Sequence, residues 1–363
     1  MGTVDLLLGA VAIVYGGGQI PPANYITGLI AEMLLNLGCT VYGVHKSFMG
    51  MANTSNYELI DSVKAACIKN QIGTYLGTCR GVDPASDEWF ELIYQCLKAK
   101  GIHTLIIPGG DGSSRAMSDF FMKIKELHSG YRLNILFIPC TIDGIEGSET
   151  IGLDSAVELT YKNALFIAEN AFATNRPQYP TGRVAVVETQ GRNRNDISYR
   201  VVKRLANHWD DDQMIYIPAA YSWSFSDVLH RINYANREIL VVISEGAEPI
   251  EGYWEAISGK TPGAKLETLI TVTGKKEVNL NVIGYLGQTC DIVESDRRKC
   301  EEWVRFLEGK ICSLKHGESC ALALVKNNFF EAVSLIDFAA GTTSNVAMPL
   351  SKKEKTEVIR YLP

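Results

Sequence analysis

The sequence predicts an α/β protein with mostly parallel sheets, on three observations. Apolar runs stop abruptly at polar, glycine-containing turns, as in Leu105–Arg115 (LIIPGGDGSSR) and Ile135–Asp154 (ILFIPCTIDGIEGSETIGLD), and such strand ends are where open α/β sheets place their ligands. The chain opens with a strand, a glycine turn, a helix and a second strand, a unit that commits its sheet to parallel pairing. A second series of the same kind begins at Arg183.

Taken in order, Val11–Tyr15 reads as a strand that enters the turn Gly16–Asn24, and Ile26, Leu29, Ile30, Met33, Leu34 and Leu37 follow at helical spacing. Gly38 stops that helix and Thr40–Val44 resumes as strand. Asp61–Lys69 reads as helix, and Gly73–Gly81 (GTYLGTCRG) as a glycine-rich loop with one cation, Arg80. Ser86–Lys98 is an amphipathic helix with Ser86, Asp87 and Glu88 at its start, where negative charge complements the helix N-terminus. Strand His103–Ile107, the GGDG turn, helix Ser118–Leu127 and strand Ile135–Ile138 follow, then a long helix from Ser155 to about Ala173. The second series comprises strand Arg183–Glu188, helix Asp196–Ala206, strands Met214–Ile217, Ile239–Ser244 and Val278–Tyr285, and helix Glu294–Glu308. No short-period repeat and no low-complexity linker marks a domain boundary.

A length of 363 residues is that of two domains or one large one. The hydrophobic fraction of 46% and charged fraction of 21% are those of an ordinary soluble protein. A formal charge of -6 leaves no basic field for a nucleic-acid backbone. Nine cysteines without CxxC or metal spacing argue against a disulfide framework or zinc site, and read as buried thiols in a reducing compartment. The apolar run Leu6–Val14 is too short to span a bilayer, and no Lys or Arg precedes Lys46, so it reads as a buried first strand of a cytoplasmic protein.

Gly109–Ser114 (GGDGSS) offers what a phosphate and its metal require: backbone N–H donors at close approach, which glycine permits, and the carboxylate of Asp111. A plain strand-to-helix turn favours the same residues. Thr141-Ile142-Asp143 closes the neighbouring strand. In phosphoryl transfer a carboxylate accepts the proton of the attacking hydroxyl while cations neutralise the charge on the transferred group. An isolated Asp at that place would equally cap the next turn. Arg80, Gly17-Gly18, Gln190-Gly191-Arg192, Glu245 and Asp296-Arg297 keep it company, mostly at strand ends or in loops.

In this order the motifs resemble those of the phosphofructokinase family. The resemblance runs from GGxxPxxN at Gly17–Asn24 through GTYLGTCR, GGDGS, PxTID and TIGxDSA at Thr150–Ala156. It continues with VVExxGR at Val186–Arg192, SEGA at Ser244–Ala247, Gly284-Tyr285 and Asp296-Arg297. It implies two Rossmann-like three-layer domains with mostly parallel sheets and an active site in the cleft between them. Residues 1–154 with about 287–338 would form the phosphate-donor domain, and about 155–286 with 339–363 the acceptor domain. The implied reaction is in-line phosphoryl transfer from ATP with Mg2+, or from pyrophosphate in some members, to a hydroxyl of a sugar phosphate.

Residue by residue, Asp143 matches the catalytic base and Thr141 the residue holding the transferred phosphoryl. Asp111 matches the magnesium carboxylate, and Gly17, Gly18, Arg80, Gly110, Gly112 and Ser113 match donor-phosphate positions. Gln190, Gly191, Arg192, Glu245, Tyr285 and Gln288 fall at acceptor positions. Arg183 matches an arginine that reaches a neighbouring subunit's acceptor phosphate, which implies a homodimer or homotetramer with shared sites.

The acceptor half departs from the family. The TIDND turn is shortened, so Asp143 is followed by Gly144-Ile145, and Gln19 stands where the family usually has Asp. Where the family has Arg-Gly-Gly this chain has Gln288-Thr289-Cys290, and a further family arginine falls on Asn279. A phosphate dianion facing neutral amides binds worse by on the order of 2 kcal/mol per lost charged hydrogen bond. The expected acceptor is therefore not fructose 6-phosphate but a neutral or differently phosphorylated polyol such as a sugar, cyclitol or nucleoside. Gly112 is the ATP-like choice at its position, while Cys140 is neither the family's glycine nor its lysine. Alternatives are pyrophosphate-dependent transfer, an ordinary 6-phosphofructokinase with a rearranged phosphate pocket, a catalytically inactive regulatory homologue, and an unrelated GGDG kinase.

Overall fold

Runs of valine, isoleucine and leucine without polar alternation become strands covered on both faces, as a parallel sheet requires; Arg183–Thr189 and Ile239–Ser244 are buried at every residue. The structure is a computed structural model that describes residues 9–145, 148–174, 177–180, 182–192, 194–250, 254–273, 276–315, 317–325, 329–341 and 350–363. Leu6–Leu8 of the expected first strand, Glu146 and Gly147 of the shortened turn and residues 342–349 of the expected C-terminal acceptor segment lie outside them.

The strands are β1 (Ala10–Val14), β2 (Val41–Val44), β3 (Tyr57–Leu59), β4 (Ile102–Gly109), β5 (Asn134–Thr141), β6 (Ile151–Gly152), β7 (Arg183–Thr189), β8 (Met214–Ile217), β9 (Ile239–Ser244), β10 (Glu277–Val282), β11 (Ser319–Val325) and β12 (Phe329–Ser334). The chain divides into two units, Met1–Ser155 with Gln288–Ser344, and Ala156–Gly287 with Asn345–Pro363.

In the first unit the sheet order is β12-β11-β5-β4-β1-β2-β3, with β6 beside β5. All pairings are parallel except β2–β3 and β11–β12 at the edges. From β1 the chain winds one way to β2 and the other way to β4, so a topological switch point lies at the carboxyl ends of β1 and β4. Ligands of open sheets bind there. Ile13, Val14, Leu105, Ile107, Phe137 and Phe120 lie in the fully buried interior. In the second unit the order β10-β7-β9-β8 is wholly parallel, with its switch point between β7 and β9, where Thr189 pairs with Ser244.

Several expected boundaries move. The GGDG segment is not a free turn: Asp111 opens the helix Asp111–Leu127, because Gly110 in an extended conformation already serves as its N-cap. The helix expected from Ser86 begins at Phe90. Val278–Tyr285 is strand only as far as Val282, and Gly284–Gln288 is a 3-10 turn that starts at Gly284 with φ +47. Of the nine cysteines only Cys39, Cys140, Cys300 and Cys320 are buried, while Cys67 and Cys312 are exposed. Helices Phe225–Tyr234 and Lys352–Val358 lay unread although each carries a serine cap, Ser224 on the Asp227 N–H and the Ser351/Glu354 capping box. Among the described residues no helix is long and apolar enough to cross a membrane.

Candidate active site

Parallel register sets the ends of β4 and β5 side by side, with Gly109 opposite Pro139. The chain therefore delivers Gly110–Ser113 and Thr141–Asp143 to one edge. A cavity of about 360 Å³ opens there in the first unit, and its walls include Gly17, Gly18, Arg80 and Gly110 together with Asp111, Gly112, Ser113, Thr141, Asp143 and Gln288.

Glycine at two of the surrounding positions answers to packing. A Cβ on Gly16 would stand 2.7 Å from Ser113 Oγ, and one on Gly109 would stand 2.9 Å from Ser113 Cβ. Those glycines let the β1 and β4 turns touch. Gly112 differs, since a Cβ there would meet only Arg115 Nη2, at 4.0 Å. Protein packing does not demand glycine at Gly112, whereas close approach of a ligand to a helix N-terminus does. Gly110 contributes no side-chain cap to the helix it starts; the Ser113 N–H donates to the Gly110 carbonyl at 3.0 Å, and the helix N-terminus at Asp111 and Gly112 is where an anion is favoured.

Thr141 packs against Gly110, whose added Cβ would lie 3.7 Å from Thr141 Oγ1. The Thr141 hydroxyl accepts the Asp143 N–H at 3.2 Å, and Thr150 Oγ1 donates to the Asp143 carbonyl at 3.2 Å. Both ends of the loop that carries Asp143 are thus tied. Arg80 is exposed at the rim on a loop anchored by the buried Asn24, which accepts the Tyr75 N–H at 2.5 Å and donates to the Gln71 carbonyl at 3.3 Å. The loop is further held by Lys46, whose N–H donates to the Leu76 carbonyl at 2.7 Å. Lys46 and Ser47 adopt φ +64 and +54 without being glycine. That is why sequence reasoning missed the turn that brings Phe48 to the cavity wall: no glycine marks it.

Among the described residues no three His, Cys, Asp or Glu side chains form a metal cage. The donor set suits magnesium nonetheless, because that ion is held by one or two carboxylates together with substrate phosphates and water. Asp111 and Asp143 share the cavity.

The second unit has its own cavity of about 760 Å³, at the carboxyl ends of β7 and β9, and Arg192 and Glu245 line it. Glu245 is tied to the β7 turn, its N–H donating to the Thr189 carbonyl at 3.0 Å and its carboxylate accepting the Gly191 N–H at 3.4 Å. Gly191, at φ +115, lets that turn form. Gln190 lies buried behind it, and among the described residues Gln190 Oε1 and Thr189 Oγ1 are buried without a hydrogen-bond partner. Trp254 and Lys265, which the sequence reading passed over, complete the wall; the Lys265 ammonium lies 5.4 Å from the indole centroid and 3.3 Å from Glu255. Behind the cavity Glu188 accepts the Gly263 N–H at 2.7 Å, and burial pushes its carboxyl above the usual range.

Of the expected acceptor residues, Arg183, Gln190, Gly191, Tyr285 and Gln288 do not line the second unit's cavity. Tyr285 is 72% exposed and lines neither cavity. Gln288 lines the first unit's cavity rather than the second's. Arg183, expected to reach a neighbouring subunit's phosphate, is buried with its Nε 3.0 Å from Glu277 Oε2 and its Nη2 donating to Asn279 Oδ1 at 3.0 Å. The cause is register: Glu277 stands directly opposite Arg183 across β7 and β10. The Nε contact is close as an ion pair but poorly aligned as a hydrogen bond.

Residues 10–303 match the phosphofructokinase family. An ATP-dependent 6-phosphofructokinase of Finegoldia magna is 32% identical over 191 residues, covering 52% of this chain and 54% of that protein. ATP-dependent 6-phosphofructokinase 1 of Clostridium perfringens is 31% identical over 190 residues, with the same coverage of 52% and 54%. The chain thus spans about half the length of the curated relatives it matches. Among solved structures, Pichia pastoris phosphofructokinase in the T-state superposes with a TM-score of 0.75 at 18% identity, covering 92% of this chain and 35% of that one. Pyrophosphate-dependent phosphofructokinase from Marinobacter aquaeolei gives 0.75 at 15% identity, covering 97% and 91%.

Proposed function

The chain belongs to the phosphofructokinase family, and from that premise we propose that it is a kinase transferring the γ-phosphoryl group of ATP to a hydroxyl of a sugar or sugar-like acceptor. The observation that carries this reading is the first unit's cavity, where a helix N-terminus, an arginine and two carboxylates converge. Asp143 accepts the proton of the acceptor hydroxyl as its oxygen bonds to the γ-phosphorus, while the bond to the bridging oxygen breaks and ADP leaves with that oxygen. Thr141 holds the transferred group in place, and Arg80 offsets the charge that spreads over its oxygens. The N–H groups at Gly110–Ser113 cradle the donor phosphates. Asp111 would hold Mg2+, which supplies neutralisation of the phosphate oxygens.

The open space at Gly112 and the likeness to the ATP-dependent 6-phosphofructokinases of Finegoldia and Clostridium favour ATP as donor. The likeness to the pyrophosphate-dependent phosphofructokinase of Marinobacter keeps pyrophosphate as the second reading. For the acceptor, Arg192 and Glu245 supply the contacts, and the acceptor is not fructose 6-phosphate. What supports this is that Arg183 is engaged by Glu277 while neutral Asn279 and Gln288 stand where arginine would grip a phosphate. By family likeness the protein works as a cytoplasmic homodimer or homotetramer.

A phosphoryl-transfer screen with ATP and with pyrophosphate, against sugars, sugar phosphates, cyclitols and nucleosides, tests the reading. Turnover of a non-phosphorylated polyol with ATP is expected. Efficient use of fructose 6-phosphate would overturn the acceptor assignment, and phosphate release from pyrophosphate without ATP turnover would overturn the donor assignment.

A further inference from the structure

The strand next to the catalytic turn is too short to hold itself. β6 has two residues, and its pairing with β5 is limited to Cys140 with Ile151 and Thr141 with Gly152. Strands usually run three residues or more. Yet β6 closes the loop that carries Asp143, and it also backs the cavity wall. Gly152 sits at φ +105, and a Cβ on it would come within 3.2 Å of Ile20 Cδ1, part of that wall.

The anchor comes from far along the chain. Asp296, fully buried, accepts the Gly152 N–H at 3.1 Å through Oδ1, and the Ser155 N–H at 2.8 Å and hydroxyl at 2.6 Å through Oδ2. The Ser155 hydroxyl in turn accepts the Val293 N–H at 3.2 Å. Gly152 and Ser155 stand at the start of helix Leu153–Ala173, and Val293 is the N-cap of helix Glu294–Cys312. One carboxylate therefore satisfies first-turn donors of one helix from within the first turn of another, at a place where both helix ends favour negative charge. Hydrogen bonds donated to an anionic acceptor are about twice as strong as neutral ones.

We propose that Asp296 is a positioning residue for phosphoryl transfer, holding β6 against β5 so that Thr141 and Asp143 are presented in one fixed geometry. It touches no reacting atom and acts through Gly152 and Ser155. The proposal rests on the reading of Asp143 as base.

The test uses the full chain with ATP and an acceptor found by the screen. Asp296→Asn puts an amide where the carboxylate takes three donors, and kcat should fall about ten- to a hundredfold while the KM for ATP stays within about threefold. Ser155→Ala removes one of those bonds with little change of shape and should lower kcat less. The double variant should lose less than the two single losses multiplied together, because the side chains form one unit. Thermal unfolding of each variant is followed alongside. A purely structural role would lower the melting temperature and leave the kcat of the folded fraction intact, which would overturn the proposal. If Asp296→Asn does not fold, Ser155→Ala decides: unchanged kcat overturns the proposal, reduced kcat at unchanged ATP affinity supports it. An active Asp143→Asn would remove the underlying reading instead, whereas an inactive Asp143→Asn beside fully active Asp296→Asn and Ser155→Ala sinks this inference alone.

Discussion

Replacing Gly112 by alanine separates a ligand contact from a packing requirement by opposite signs. The residue is the second of helix Asp111–Leu127, its φ lies outside the left-handed region, and a Cβ would meet only Arg115 Nη2 at 4.0 Å. Alanine in a helix is favoured over glycine by about 0.5–1 kcal/mol, which in a unit of this size raises the melting temperature by roughly 1–4 °C. If the Gly112 N–H meets a donor phosphate, the added methyl blocks that approach and one charge-assisted hydrogen bond is lost. The cost is about 1.5–3 kcal/mol, or roughly a ten- to 150-fold rise in the KM for ATP. Steady-state kinetics and thermal unfolding of the same preparation read both. Gly16→Ala is the contrast, since its Cβ would stand 2.7 Å from Ser113 Oγ and 2.8 Å from Ser113 Cβ; there stability should drop as well, by about 1–3 kcal/mol. An unchanged KM for ATP in Gly112→Ala refutes the reasoning, and so does a loss of stability in that variant.

Two further outcomes follow from the second unit. Glu277→Ala leaves the Arg183 guanidinium buried without its carboxylate, the side chains being 6% and 21% exposed, so unfolding should be easier by about 3–5 kcal/mol; denaturant midpoints equal to those of the parent contradict this. Burial raises the Glu188 carboxyl above its ordinary value, so the folded state binds that proton more tightly than the unfolded chain does. The stability it contributes is complete below about pH 4.3 and is lost as pH rises through the raised value. Glu188→Gln should therefore unfold with a flatter pH dependence than the parent above about pH 4, and parallel curves would count against the assignment.

The meeting of GGDGSS and TID at one sheet edge was legible because each segment is local. GGDGSS and TID each sit within a few residues of a strand end, and the rules of parallel sheets bring such ends together. Even there the sequence misled about form: Gly109–Ser114 looked like a turn before a helix at Ser118, whereas Asp111 already begins it. The acceptor half depends on facts no short window carries. That Arg183 faces Glu277 follows from the register of β7 with β10, which join segments nearly a hundred residues apart, Arg183 and Glu277. A one-residue slip would have turned the guanidinium to the other face. Asp296 illustrates the same limit: the sequence offers it as half of the Asp296-Arg297 pair without a partner, and only the fold brings it, fully buried, to Gly152 and Ser155.

The central claim is that Asp143 takes the proton of an acceptor hydroxyl. The most direct measurement is the rate of γ-phosphoryl transfer from ATP to the best acceptor by Asp143→Asn beside the parent, with nucleotide affinity determined on both. The account predicts a kcat lower by about a hundred- to ten-thousandfold at an ATP affinity within about threefold of the parent. Transfer at the parental rate by Asp143→Asn contradicts it.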